Sequence, residues 1–444
     1  MKKFLQNLYI QNRFFIVLGI AVLCFVLSFL FPRIVDYVKI GLFVAIALLL
    51  LDVLFVFRIK EGIKASRELP DKLSNGDDNP VQILITNRYS TAMNLTIIDE
   101  LPAVFQKRDF EIKSILEAGA SHTFNYTLRP VERGEYRFGA LNIYASSTLG
   151  FVKRRYRVSQ DAMVPVYPSF LQMRKFELMA FTNRLRDYGL KKIRRIGHTM
   201  EFEQIKEYVL GDDVRNINWK ASAKRDALMI NQFQDEKSQP VYSVIDKGRV
   251  MKMPFEGLKL VDYAINATLV ISNIALKKGD KAGMFSFSRK VENQVIAQRR
   301  ASQMNLILET LYNLDTDFNE SDFSRLYIDI KRKITQRSLL LLYTNFETLD
   351  ALHRQLPYLQ AIAKNHLLVV IFFENTELKK MLTQPAVSTK EIFEKTIAEK
   401  FIYEKKLIVN ELNAYGIQTI LTGPQQLTVN TINKYLEIKA RGLL

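Results

Sequence analysis

The first sixty residues are dominated by two long apolar runs. Phe14 to Phe31 is 18 residues without a charge, and Ile40 to Phe57 is a second run of 18, broken only by Asp52. At about 1.5 Å of rise per residue each run makes a helix of about 27 Å, enough to cross the hydrocarbon core of a bilayer. Between them, Pro32 to Lys39 leaves room for a turn and little else. The pattern predicts a transmembrane hairpin over 1–60.

From about residue 66 to 165 the helical period gives way to alternation. Val81, Ile83 and Ile85 alternate with Gln82 and Thr86, although Leu84 interrupts the polar face. Phe124, Tyr126 and Leu128 alternate with Thr123, Asn125 and Thr127, and turn signals stand at Ser74–Asp78, Glu117–Gly119 and Arg133–Glu135. Short strands at this spacing predict an antiparallel, all-β sandwich-like domain of immunoglobulin size. A connecting segment, 166–235, follows.

Over 236–444 apolar strands alternate with helical stretches. The expected strands are Val241–Asp246, Ala282–Ser288 and Val291–Ala297 (an edge hairpin), Leu339–Tyr343, Leu367–Phe373 and Gln418–Leu421, with a long helix over Glu256–Lys277. That order implies a mostly parallel α/β sheet covered on both faces, whose ligands bind at the carboxyl ends of the strands. Asp246, Thr344 and Asn345 fall on that edge.

Charge sets the orientation. Lys2, Lys3 and Arg13 precede the first span and Arg58, Lys60, Lys64 and Arg67 follow the second, whereas the turn carries Arg33 and Lys39 against Asp36. By the positive-inside rule both ends, and everything after residue 58, face the cytoplasm of a two-pass inner-membrane protein. No small-x-small cleavage site follows the first run, and Leu23 before Cys24 spoils a lipoprotein-type box, so the run reads as an anchor and not a leader. Asp52, near the cytoplasmic end of its run, is expected to reach the interface or to pair within the hairpin.

The net charge of +17 favours anionic neighbours. Basic clusters at Lys153–Arg157 and Lys191–Arg195 lack interleaved aromatics, so they read as faces near acidic lipid, and a nucleic-acid partner is not expected. The single cysteine excludes an internal disulfide. The four histidines, His122, His198, His353 and His366, have no ligand spacing, and no phosphate loop, dinucleotide fingerprint or nucleophile elbow occurs, so no cofactor is expected.

The segment Gly211-Asp212-Asp213-Val214-Arg215-Asn216-Ile217-Asn218-Trp219-Lys220-Ala221-Ser222-Ala223-Lys224 resembles the signature of the bacterial domain-of-unknown-function family 58. Gly134-Glu135-Tyr136, Leu149-Gly150-Phe151, Val166-Tyr167-Pro168 and the paired spans are similar to that family as well. The resemblance implies a von Willebrand factor A-like, Rossmann-type fold for the last domain, and a context shared with MoxR-type AAA ATPases. It also implies a Mg²⁺ loop of the form Asp-x-Ser-x-Ser with a threonine and a second aspartate. Here the loop reads Asp246-Lys247-Gly248-Arg249-Val250, both serine positions are replaced, and Asn345 follows Thr344 where an aspartate is expected. The metal site is therefore read as degenerate, with Asp246 ion-paired to Lys247 or Arg249.

Asp212 and Asp213, with Glu203, Glu207 and Arg215 nearby, could form a hydrolase or nuclease site. They read more simply as a turn whose carboxylates take backbone N–H groups and pair with Arg215, Lys220 or Lys224. Gly211, Asp212, Asp213, Arg215, Trp219, Lys220 and Ser222 are the candidate partner-binding residues. Trp219 is expected to be a core or inter-domain anchor, or, if exposed, a binding hot spot. The leading expectation is a membrane-anchored, non-enzymatic adaptor; a metal-dependent ligand-binding domain with unconventional ligands is the alternative.

Overall fold

The computed structural model describes residues 2–28, 34–107, 109–158, 161–181, 200–210, 212–235, 238–317, 319–386 and 388–443. Pro32, Arg33, the basic cluster Lys191, Lys192, Arg194 and Arg195, His198 and Gly211 lie outside the described residues. The chain divides into two compact units, Met1–Tyr167 and Pro168–Leu444.

The first unit opens with α1 (Lys2–Asn7), β1 (Leu8–Ile10), α2 (Asn12–Ser28) and α3 (Val35–Phe57). α3, 23 residues, is long and apolar enough to cross a membrane, whereas the described part of α2 is a shorter apolar helix of 17. α3 starts at Val35, inside the stretch expected to be a turn, because nothing from Val35 to Lys39 breaks a helix.

Ten strands follow: β2 (Ile63–Glu68), β3 (Leu73–Ser74), β4 (Asn79–Asn87), β5 (Met93–Asp99), β6 (Glu111–Leu116), β7 (Ser121–Leu128), β8 (Gly134–Phe138), β9 (Leu141–Ser146), β10 (Val152–Val158) and β11 (Ala162–Tyr167). They form three sheets, β1-β10-β9-β5-β6, β2-β4-β7 and β3-β11-β8. Ile83 and Ile85 of β4 pack with Leu95 and Ile97 of β5 and Leu141 and Ile143 of β9 in one core. Leu84, which interrupts the polar face in sequence, points outward. A buried ion pair, Arg67 with Asp99, runs through this unit, and Tyr126 donates to the same carboxylate at 2.6 Å.

Two features tie the apolar helices to the strands. β1 pairs antiparallel with β10, with Leu8 opposite Arg154 and Ile10 opposite Val152. At the same end of the helix pair, where Gln11 donates to the Phe151 carbonyl, Asp52 of α3 is fully buried. It takes the Ser147 hydroxyl at 2.5 Å and the N–H groups of Phe151 and Val152 at 3.0 Å each. This corrects the expectation that Asp52 reaches the interface or pairs within the hairpin. Its partners are 95 to 100 residues downstream.

The turn that presents them is Leu149-Gly150-Phe151. Gly150 has φ +68°, a conformation a side chain resists, and a Cβ there would lie 3.0 Å from the Arg13 guanidinium. Past Asp52, Tyr89 donates to the Val56 carbonyl at 2.5 Å, and Arg154 caps the end of α3 through the carbonyls of Val56, Ile59 and Lys60.

The second unit contains α4 (Phe170–Phe181), β12 (Met200–Glu207), α5 (Trp219–Arg225), β13 (Met229–Asp235), β14 (Pro240–Asp246), β15 (Pro254–Phe255), β16 (Leu258–Lys259), α6 (Leu260–Lys277), β17 (Lys281–Phe287) and β18 (Val291–Gln298). It continues with α7 (Gln303–Tyr312), α8 (Phe323–Lys333), β19 (Leu339–Tyr343), α9 (Leu349–Asn365), β20 (Leu367–Phe373), α10 (Thr376–Thr383), α11 (Thr389–Ala414), β21 (Gln418–Thr422) and α12 (Leu427–Ala440). Six strands form one sheet, β18-β17-β14-β19-β20-β21, parallel except for the edge strand β18. Side chains of α6, α7 and α12 cover one face and those of α8, α9 and α11 the other. Burial on both faces explains why β19 and β20 read as unbroken apolar runs. α6 starts four residues later than expected because Glu256 and Gly257, at φ +48° and +86°, make the tight turn between β15 and β16.

If Asp52 is what holds the turn to the helix, Asp52→Ala in the full-length protein frees the amides of Phe151 and Val152. Hydrogen bonds to a charged acceptor contribute about 1.5–3 kcal/mol, so exchange of these amides should accelerate by about ten- to a hundredfold. Hydrogen exchange with mass spectrometry of the peptide spanning 147–152 checks this; unchanged exchange would contradict it.

Candidate functional site

Two places bring the chemistry-bearing residues together. The first is the loop that joins β12 to β13, strands paired antiparallel with Glu207 opposite Met229. It is built by its own polar side chains. Asp212 accepts the Val209 N–H at 3.0 Å and pairs with Lys206 at 3.0 Å, which together hold its carboxyl below the ordinary range. Asp213 accepts the Arg215 N–H at 3.1 Å and starts the short 3-10 turn Val214–Asn216.

Asn218 caps α5 by accepting the Ala221 N–H at 3.0 Å and reaches Asn231 of β13 at 2.8 Å. Ser222 accepts the Met229 N–H at 2.8 Å and donates to the Asn218 carbonyl at 2.9 Å. The carboxylates are thus taken up by backbone N–H groups and nearby cations. Asp213 lies 3.7 Å from Arg215, as expected, whereas the cation on Asp212 is Lys206 and not Arg215, Lys220 or Lys224. Among the described residues no three His, Cys, Asp or Glu side chains cluster as a metal would require.

While these polar groups hold one another, the loop's apolar side chains are left outside. Trp219 is 70% exposed and Leu210 96%, with Val209 and Val214 exposed beside them. Trp219 is therefore no core anchor: it begins a seven-residue helix whose half-covered residues are Ala221 and Ser222. Arg215, Lys220, Lys224 and Arg225 are exposed as well. Exposed tryptophan and branched apolar groups are enriched at surfaces that bind protein. Leu210 and Val214 escaped the sequence reading. Their signal was an apolar pair inside a loop otherwise rich in charge.

The second place is the carboxyl edge of the six-stranded sheet. Asp246 ends β14, fully buried. Thr344 donates to it at 2.6 Å, the Gly248 N–H at 2.9 Å, and the Ser321 hydroxyl completes the set. Burial pushes the Asp246 carboxyl up, against these three donors.

The expected ion pair with Lys247 or Arg249 does not form. Lys247 pairs with Glu292 and lies 3.9 Å from Asp317, and Arg249 reaches Glu320 at 3.8 Å. Hydroxyls from Ser321 and Thr344 and the Gly248 N–H satisfy Asp246, while the buried Lys247 turns to Glu292 and Asp317. Val250 packs half-buried against the core. Asn345 accepts a hydrogen bond from the Lys405 ammonium on its side-chain oxygen at 2.6 Å, and burial pushes that ammonium down to about 8 despite nearby Glu347. The residues do not fit a magnesium ion: the Asp246 oxygens face donors, and the neighbouring acceptors face ammonium groups. Ser321 was not anticipated. It lies 75 residues from Asp246, with only its place before the α8 cap Asp322 to mark it.

Residues 204–382 match the family model described as "Protein of unknown function DUF58". This segment belongs to the DUF58 family. It takes in the β12–β13 loop and the sheet from β14 to β20, so both clusters lie inside it.

The uncharacterized protein YeaD of Bacillus subtilis (strain 168) is 26% identical over 172 residues, 38% of this chain and 40% of its own length. Among solved structures, the ASH/PapD-like domain 7 of human CEP192 is 14% identical over 24% of this chain and 84% of its own, with a TM-score of 0.19. The CARDB domain of PF1109 from Pyrococcus furiosus is 11% identical over 22% of this chain and 85% of its own, with a TM-score of 0.16. At these TM-scores neither likeness bears on fold or function.

The Asp246 geometry makes a pH-dependent prediction. Its carboxyl is raised above the ordinary 3.8, so the stability tied to its neutral form is full below that value and is lost as pH rises through the folded one. In the full-length protein, the calorimetric unfolding temperature of the wild type should fall relative to that of Asp246→Asn as pH rises above the ordinary carboxylate value. Parallel behaviour of the two proteins would refute it.

Proposed function

We propose that this protein is a membrane-anchored, non-enzymatic adaptor that docks a protein partner on the loop between β12 and β13. The observation that carries the reading is the exposure of Trp219, Leu210 and Val214 on a loop whose polar side chains are committed to holding its shape. A conformation set in advance lowers the ordering cost of binding, and tryptophan is enriched among residues that dominate interface energies.

In this reading α2 and α3 form a two-pass hairpin in the bacterial inner membrane, with the strands and the α/β unit in the cytoplasm. The apolar length of α3 and the basic residues flanking the two helices support that topology. The six-stranded sheet acts as a von Willebrand A-like scaffold without its metal, a proposal supported by the donors that surround Asp246. A MoxR-type AAA ATPase is the proposed partner, and the adaptor would link ATP-driven remodelling to a membrane client.

Affinity purification of the full-length chain from mild-detergent membranes tests the reading. The wild type should bring down one ATPase at near-stoichiometric amounts, and Trp219→Ala should lower its recovery by about tenfold or more, given the ≥ 2 kcal/mol typical of a hot-spot residue. Equal recovery by both proteins would refute the docking surface.

A further inference from the structure

Below the point where Asp52 ties α3 to the strands lies a cleft of about 680 Å³, within the roughly 300–1,000 Å³ typical of small-ligand sites. One wall is the outer side of the α3 end, Leu51, Leu54, Phe55 and Arg58; the other is Thr91 with the turn at Thr148 and Leu149. The chemistry of the walls is divided. Leu51 and Leu54 are exposed apolar groups continuing the helix face above, and Leu149 is exposed opposite them. Arg58, also exposed, forms no ion pair among the described residues. Asp52, the acid in the lining, is occupied by Ser147, Phe151 and Val152.

A guanidinium without a carboxylate, next to threonine hydroxyls and at the foot of an apolar helix face, is suited to a phosphate that carries acyl chains. We infer that this cleft binds the headgroup of an anionic glycerophospholipid, with the phosphate on Arg58 and an acyl chain along Leu51 and Leu54. The assignment rests on the membrane-anchored reading and deepens it. Arg58 directly follows the apolar run Ile40–Phe57, which spans about 27 Å, so its guanidinium lies at the level of the headgroups while Leu51 and Leu54 lie beside the acyl chains. Because Asp52 fixes the turn at Ser147–Phe151 against the helix, the cleft exists before any lipid enters it.

The test uses the full-length protein, wild type and Arg58→Gln, in nanodiscs of phosphatidylcholine titrated with phosphatidylglycerol, with bound lipid counted by native mass spectrometry after release. The wild type should retain phosphatidylglycerol with about fivefold higher affinity than Arg58→Gln, the effect of about 1 kcal/mol per basic residue at a membrane surface. Arg58→Lys should retain most of that preference, and Leu54→Asn should weaken it with the charge intact. Equal retention by the wild type and Arg58→Gln would overturn the inference alone. Displacement of the lipid by millimolar inorganic phosphate would overturn it in favour of a free-anion site. Release of the wild type from native membranes by alkaline carbonate would overturn the anchored reading and this inference with it.

Discussion

A single carboxylate in the last turns of an apolar helix organises the first unit. Asp52 is buried, and burying a carboxylate without donors would cost several kcal/mol. The donors come from one turn, Ser147 to Val152, which Gly150 lets fold tightly enough to aim two consecutive N–H groups at the same oxygen. The helix therefore cannot swivel freely relative to the strands. β1 adds a second attachment on β10, the strand that starts at Val152, so the start of α2 and the last turns of α3 meet the same strand. Two apolar helices held this way form a stiff base for the β-rich unit, where a flexible leash would otherwise be expected.

In the second unit an apolar core covers both faces of the six-stranded sheet, but the β12–β13 loop follows a different rule: its polar groups build the frame and its apolar groups remain outside. In the β12–β13 loop, Asp212, Asp213, Asn218 and Ser222 satisfy backbone and neighbouring groups, and Leu210, Val214 and Trp219 are left to solvent. At the sheet edge, Asp246 is closed off by Ser321, Thr344 and Gly248 while lysines hold the acceptors around it. At the edge where open α/β sheets bind ligands the polar groups are paired with one another, and the exposed apolar groups lie on the loop ahead of β14.

Much of this was legible along the chain because it is local. Leu339–Tyr343 and Leu367–Phe373 lie in the sheet with the bounds their apolar runs predict, and the Gly257 turn shortens α6 by only one turn. What was hidden depends on residues far apart. A three-residue strand such as β1 has no pattern of its own and exists only because β10 offers an edge some 145 residues later. The partners of Asp52 and Asp246 are similarly remote, so both acids were assigned the nearest plausible roles, a hairpin partner and an adjacent lysine. The exposure of Trp219 followed from which side of a short helix its caps and Ser222 fixed, a choice composition does not encode.

The most direct test of the account is the side of the membrane on which the strands lie. In a Cys24→Ser background, Tyr37→Cys at the start of α3 and Glu117→Cys in the exposed turn between β6 and β7 can be labelled with a membrane-impermeant maleimide on intact spheroplasts. The account predicts labelling at position 37 in sealed spheroplasts and at 117 only after the membrane is opened. Labelling at 117 in sealed spheroplasts would contradict it.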